Sequence, residues 1–254
     1  MCTIIFSYKA HPKYDFIFIG NRDEFKARPS KKAHYWKSDS NVLAGKDIEK
    51  GGTWTGITTE GRIAFVTNYR DFTLNQDDNN LSRGCLTSNF LTSSIDSKKY
   101  LRNIQSKKNI YSPFNLIIGS PEELYYYSNV EDKIKNLSSG IYGISNSLLD
   151  IPWYKVEKAK KQFTHYINKE FTIEELFNIL DDTEIPADNY LPSTGIPLEK
   201  ERLLSSIHID SPEYGTLYKT IILVGRDGKV QFYEKYLNND NTWSLHSFKF
   251  RLLR

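Results

Sequence analysis

Two cysteines occur in the 254-residue chain, Cys2 and Cys85, and the first stands where a nucleophile could be made. Removal of Met1, which a small second residue permits, would leave Cys2 with a free α-amine. Such an amine can act as the general base for its own side chain. Its ordinary pKa of about 7.7–8.0 keeps a useful neutral fraction near pH 7. The second chemical feature is Asn21-Arg22-Asp23-Glu24, directly after the apolar run FIFI. The guanidinium of Arg22 would draw a nearby thiol of pKa about 8.5 toward thiolate. Asp23 or Glu24 could accept a hydrogen bond from the amine and hold it. The bland alternative is that Cys2 is a small apolar residue and that Arg22 and Asp23 form an ion pair at a strand end.

These residues need elements to bring them together. IIFSY and FIFI are β-branched and aromatic runs joined by KAHPKYD, a hairpin-loop sequence. A hairpin about Pro12 sets Tyr8 opposite Phe16 and Ile4 opposite Gly20, so that two residues further on Cys2 lies beside Arg22. Arg22 and Asp23 are neighbours and cannot share one face of a regular strand, so a bulge or a strand end is required there, and Glu24 stays a rival to Asp23.

Further strands are expected at NVLAG, TWTGIT, RIAFVTN, FNLIIG, LYYYSN and GIYGIS, and at the end in TIILVG, KVQFYEKY and TWSLHSFKF, with Arg226-Asp227-Gly228 as a turn. A polar loop, QDDNNLSRG, opens a helical region from about Gly84 to Lys107. Three more helices are predicted. WYKVEKAKKQFTHYIN places Val156, Ala159, Phe163, Tyr166 and Ile167 on one face and its lysines on the other. TIEELFNILDD carries a capping-box pair, Thr172 and Glu175, and PLEKERLLSSI is a shorter candidate. Strands at both ends with helices grouped between them predict α+β with antiparallel sheet. Runs apolar at every position, such as FIFI and TIILV, predict strands covered on both faces. No linker composition interrupts the chain, so one domain over residues 1–254 is the simplest expectation.

Composition narrows the function classes. Lysine plus arginine is 34 and aspartate plus glutamate 31, a net charge of +3, too small on this length to suggest nucleic-acid binding. Lys155, Lys158, Lys160 and Lys161 read as the solvated face of a helix, with a landing site for a phosphate-bearing ligand as the alternative. Two cysteines provide no disulfide framework. The start has no basic leader, and no apolar stretch approaches the roughly 20 residues of a membrane helix. The expectation is a cytoplasmic protein without an integral membrane segment. His11, His34, His165, His208 and His246 show no metal-ligand spacing, no cofactor motif is present, and Gly143-Ile144-Ser145-Asn146-Ser147 lacks the second glycine of a serine-hydrolase elbow. Cys85 reads as a packed residue at a helix start.

Motifs along nearly the whole chain carry a resemblance: Met1-Cys2, Asn21-Arg22-Asp23-Glu24, Gly51-Gly52-Thr53-Trp54, Thr67-Asn68-Tyr69-Arg70, Ser82-Arg83-Gly84, Phe114-Asn115-Leu116, Gly143-Ile144-Ser145-Asn146, Pro152-Trp153-Tyr154-Lys155 and Tyr214-Gly215-Thr216. In this order they resemble the NRDE family, the transport-and-Golgi-organisation-2-like proteins, which is itself similar to N-terminal nucleophile hydrolases of the penicillin V acylase and choloylglycine hydrolase group. The resemblance implies a four-layer αββα sandwich of two antiparallel sheets flanked by helices. It implies Cys2 as nucleophile, Arg22 and Asp23 as its support, and Asn68 and Asn146 as oxyanion donors, with Asn21, Glu24, Trp54, Arg70 and Arg83 as ligand contacts. The function so implied is an amidohydrolase or acyl-transferring enzyme acting on an amide or thioester. The alternative is a non-catalytic carrier of a lipid-related ligand, acyl-CoA or haem, on a hydrolase-derived fold. Two departures stand out. The hydrolase group separates its arginine and aspartate by two residues, whereas Arg22 and Asp23 are adjacent. Family members often continue Tyr-Gly-Thr with arginine, where this chain has Leu217 and the nearest basic residue is Lys219.

Overall fold

A computed structural model of the chain describes residues 3–73 and 80–253. Met1, Cys2 and residues 76–79 of the expected polar loop lie outside them. The fold is α+β, with two antiparallel sheets and five α-helices among the described residues. The chain divides into two compact units, each assembled from separated segments: Met1–Arg28, Arg70–Asn75 and Ser139–Lys249 form one, and Pro29–Tyr69, Gln76–Ser138 and Phe250–Arg254 the other.

In the first unit, β1 (Ile4–Tyr8), β2 (Tyr14–Phe25), β10 (Gly140–Ile144), β11 (Tyr214–Gly225), β12 (Lys229–Leu237) and β13 (Trp243–Arg251) form a sheet in the order β10-β1-β2-β11-β12-β13. The β1–β2 hairpin has the register read from its loop, with Tyr8 opposite Phe16 and Ile4 opposite Gly20. Ile5, Ile17, Ile19, Ile221 and Leu223 point to the face covered by α3 (Tyr154–Ile167) and α4 (Ile173–Leu180). There they form one core with Val156, Ala159, Phe163, Ile167, Leu176 and Phe177. The alternate positions Phe6, Phe16, Phe18, Ile222 and Phe232 are equally buried. Apolar residues at every strand position therefore mean burial on both faces, as the sequence pattern predicts. Thr172 and Glu175 form the expected capping box of α4.

The second unit is a seven-stranded meander in sequence order: β3 (Ser30–Trp36), β4 (Asp39–Asp47), β5 (Thr55–Thr58), β6 (Ile63–Asn68), β7 (Phe114–Gly119), β8 (Leu124–Ser128) and β9 (Lys133–Asn136). On one face α1 (Gly84–Leu91) and α2 (Ser97–Gln105) bring Leu86, Phe90, Leu91, Tyr100 and Leu101 against Val42, Ala44, Ala64, Val66, Leu116 and Tyr127. β3 and β9 are not signalled by apolar alternation, because both are edge strands. Their lysines, Lys31, Lys32, Lys133 and Lys135, put charge where a further strand could otherwise add. No helix among the described residues is long and apolar enough to cross a membrane.

Candidate active site

The stretch Asn21–Glu24 lies at the end of β2, beyond the residues paired with β1. The last link to that neighbour is the Asn21 amide, which donates to the Thr3 carbonyl at 2.9 Å. On its other side β2 pairs with β11, Lys219 opposite Asn21, Tyr218 opposite Arg22, Thr216 opposite Asp23 and Gly215 opposite Glu24, with Leu217 as the extra residue of a β-bulge. The irregularity expected beside Arg22 and Asp23 is thus present, but in the facing strand. β2 itself keeps its alternation and sends the two side chains to opposite faces.

On the face shared with Ile17 and Ile19, the Asn21 side-chain amide donates to Leu180 O at 3.1 Å and Ile207 O at 2.9 Å. Asp23 lies next on that face, only 1% exposed. The Thr216 hydroxyl donates to Asp23 Oδ1 at 2.6 Å and the Tyr214 hydroxyl to the Asp23 carbonyl at 2.9 Å. Burial pushes the Asp23 carboxyl above its ordinary pKa, while Lys155, Thr216 and Arg22 act in the opposite direction. On the other face the Arg22 guanidinium lies 3.8 Å from Glu24 Oε2 and 5.7 Å from the Tyr218 ring centre. Glu24 is shared with Arg28, at 3.9 Å. Arg22 thus pairs with Glu24, the alternate residue that a strand places beside it.

Asn146 is wholly buried just beyond β10. Its carbonyl accepts from the Arg70 amide at 2.7 Å, and the Ser145 hydroxyl lies 3.4 Å from its Oδ1. Arg70 is committed to a buried ion pair, its Nη2 2.9 Å from Glu201 Oε2 and its guanidinium 4.9 Å from the Trp153 ring centre. The other Glu201 oxygen accepts from the amide and hydroxyl of Thr194, at 2.8 and 2.6 Å.

One lysine departs from the sequence expectation. Lys155 does not join the solvated face of α3: it is buried in the first turn, and its Nζ donates to Leu204 O at 2.8 Å. Lys158 and Lys160 do lie on the outer face, paired with Asp182, Glu184 and Asp150. Lys219 lies over the Trp243 ring at 4.2 Å and pairs with Asp181, and burial lowers its pKa.

Trp54, Asn68 and Arg83 belong to the second unit. Asn68 ends β6, opposite Phe114. The Trp54 indole lies over Gly45, where an added Cβ would come within 2.4 Å of the ring. Arg83 stands at the start of α1 with Nη1 donating to Pro113 O at 3.2 Å. Gly52, at φ +80°, approaches the Gly84 carbonyl too closely for any side chain, and the Thr53 amide donates to that carbonyl at 3.1 Å. The Gly-Gly-Thr-Trp and Ser-Arg-Gly motifs are thus two loops built on each other. Cys85 lies in the first turn of α1, as expected.

Sequence reasoning assigned no role to Tyr214 or Thr216 and read Lys155 as part of a solvated face. All three stand in quoted motifs, so the signal was there, but only the fold shows that they gather around Asp23. Among the described residues no group of three or more His, Cys, Asp or Glu converges.

The α+β fold with two antiparallel sheets is that of the N-terminal-nucleophile hydrolases. Two solved structures of a conjugated bile acid hydrolase from Clostridium perfringens share it, both mutants, one with a cysteine replaced by alanine. Each has a TM-score of 0.52 at 10% identity, covering 98% and 99% of this chain and 92% and 98% of the other. Within that class the chain belongs to the Transport and Golgi organisation 2 family, which matches residues 1–239. The Transport and Golgi organization protein 2 homologues of Bos taurus and Homo sapiens are 35% and 34% identical to it, each over 99% of both chains.

Proposed function

We propose that the chain is an N-terminal-cysteine hydrolase that cleaves an amide or a thioester. The observation that carries this reading is Asp23: a carboxylate buried on β2, bonded by Thr216 and acted on by the cation Lys155, two residues past the bond from the Asn21 amide to Thr3. The hairpin register expected from the sequence, which sets Cys2 beside Arg22, supports this reading. After Met1 is removed, the Cys2 thiol attacks the substrate carbonyl carbon and its proton passes to the α-amine. A C–S bond to the enzyme forms, and the substrate's C–N or C–S bond breaks as that proton moves to the leaving group. Water then hydrolyses the acyl-enzyme thioester. Asp23 holds the amine, Arg22 favours the thiolate, and the Asn146 amide is offered to the oxyanion. The substrate class includes acyl-CoA among thioesters, and the fold neighbour, a hydrolase of a conjugated acid, supports a small-molecule acyl substrate. A reducing compartment, most simply the cytoplasm, keeps the thiol free.

The test begins with the intact mass of protein expressed with its native N-terminus and excess methionine aminopeptidase, followed by a panel of amides and thioesters. Loss of one methionine is expected, with turnover that falls on the order of 10³-fold or more in Cys2→Ala while the fold survives. A retained Met1, or turnover that survives Cys2→Ala, would remove the mechanism. Stoichiometric binding without product, persisting in Cys2→Ala, would make the chain a carrier.

A further inference from the structure

Counting regularly along β11 from the pair Tyr218–Arg22, the partner of Asp23 would be Leu217, an apolar residue. The bulge skips it and puts Thr216 there instead. The Thr216 hydroxyl, in a residue only 2% exposed, makes two bonds: it accepts from the Ile209 amide at 3.0 Å and meets Asp23 Oδ1 at 2.6 Å. An amide can only donate, so the single hydroxyl proton is directed to the carboxylate. Reversing the second bond would bury that proton without an acceptor. The distance is that of a hydroxyl bound to a charged oxygen. The backbone around it is fixed as well. The Thr216 amide donates to Ile209 O at 2.8 Å, Asp210 bridges to Gly215, and at Gly215 a Cβ would come within 2.8 Å of Ile209 O. The same short segment supplies Ile207 O to Asn21.

We infer that Thr216 is a positioning residue: the bulge at Leu217 aims its hydroxyl at Asp23 and holds that carboxylate ionised in one orientation. The inference rests on the reading of Asp23 as the support of the Cys2 amine, but the link between hydroxyl and carboxylate can be measured without turnover. The charged groups that act on Asp23 are the chain's α-amine, Lys155 from α3, Lys219 from β11 and, from the opposite face of its own strand, Arg22, all cationic. They act in the same direction as the hydroxyl, so its share must be isolated by substitution.

The Asp23 carboxyl carbon is followed by NMR through a pH titration in the parent protein, Thr216→Val and Thr216→Ser. Thr216→Val is expected to raise the titration midpoint by about one to two pH units, the worth of one hydrogen bond to a charged group. Thr216→Ser should stay near the parent. With an active substrate, Thr216→Val should lower kcat and carry its acidic limb upward by the same interval, leaving KM in place. An unchanged midpoint in Thr216→Val, or a serine variant that behaves like valine, overturns the assignment. Should Thr216→Val not fold, the parent protein still decides. Its Thr216 hydroxyl proton should be a slowly exchanging resonance whose shift follows the Asp23 titration, and insensitivity to it overturns the assignment. A shifted midpoint together with turnover that survives Cys2→Ala would retire the hydrolase reading alone.

Discussion

At the scale of single residues, the chain shows how a motif distributes its side chains. Asn21 and Asp23 point to the helix-covered face and are held by backbone and hydroxyl groups, while Arg22 and Glu24 pair on the other face. Four consecutive polar residues at the end of an apolar run therefore serve two surfaces. Arg70, expected from the sequence as a ligand contact, is paired with Glu201, with side chains 2% and 4% exposed. Removing one partner of a buried pair leaves an uncompensated charge, so Arg70→Met should cost about 3–5 kcal/mol in urea unfolding, with part recovered when Glu201 is made leucine as well. A loss below about 1 kcal/mol would mean that water reaches the pair.

At the scale of elements, local rules account for α4 and non-local ones for β11. Thr172 accepts from the Glu175 amide and Glu175 returns a bond to the Thr172 amide, so both ends of the signature are satisfied within four residues. Thr172→Ala should therefore lower stability by about 1 kcal/mol, read from the denaturation midpoint at unchanged slope. An effect near zero would show that packing of Leu176, Phe177 and Ile179 alone holds the helix. β11 is different: its value to the site lies in one extra residue at Leu217, which no propensity announces. Lys155 makes the same point from the helix side. Its helix follows the predicted apolar face, yet the first-turn lysine turns inward to Leu204 O.

At the scale of the whole molecule, the two units differ in how far their parts are separated in sequence. The seven-stranded sheet runs from Ser30 to Asn136 in chain order, whereas the six-stranded sheet places β1 and β2 between β10 and β11, joining the first 25 residues to residues beyond 139. A chain beginning at Pro29 lacks two inner strands and exposes the edges of β10 and β11 together. Hydrogen exchange of that truncated chain, read by mass spectrometry, should show no protection across β11 and β12. Protection at the level of the full chain would contradict the dependence of that sheet on its first hairpin.

The sequence by itself determined the strands other than the edge strands β3 and β9, the α4 cap, the register of the first hairpin, the polar stretch at the end of β2 and the family. These rest on β-branched runs, a short loop and a capping pair, interactions between residues close in the chain. Only the tertiary structure decided what surrounds Asp23. Thr216 is 193 positions away, Lys155 arrives from a helix, and the pairing of Arg22 with Glu24 follows from strand alternation once β2 is known to run through Phe25. A bulge of one residue exchanges Leu217 for Thr216 opposite the carboxylate. That choice is made by two strands meeting, a contact between distant segments that neither segment encodes alone.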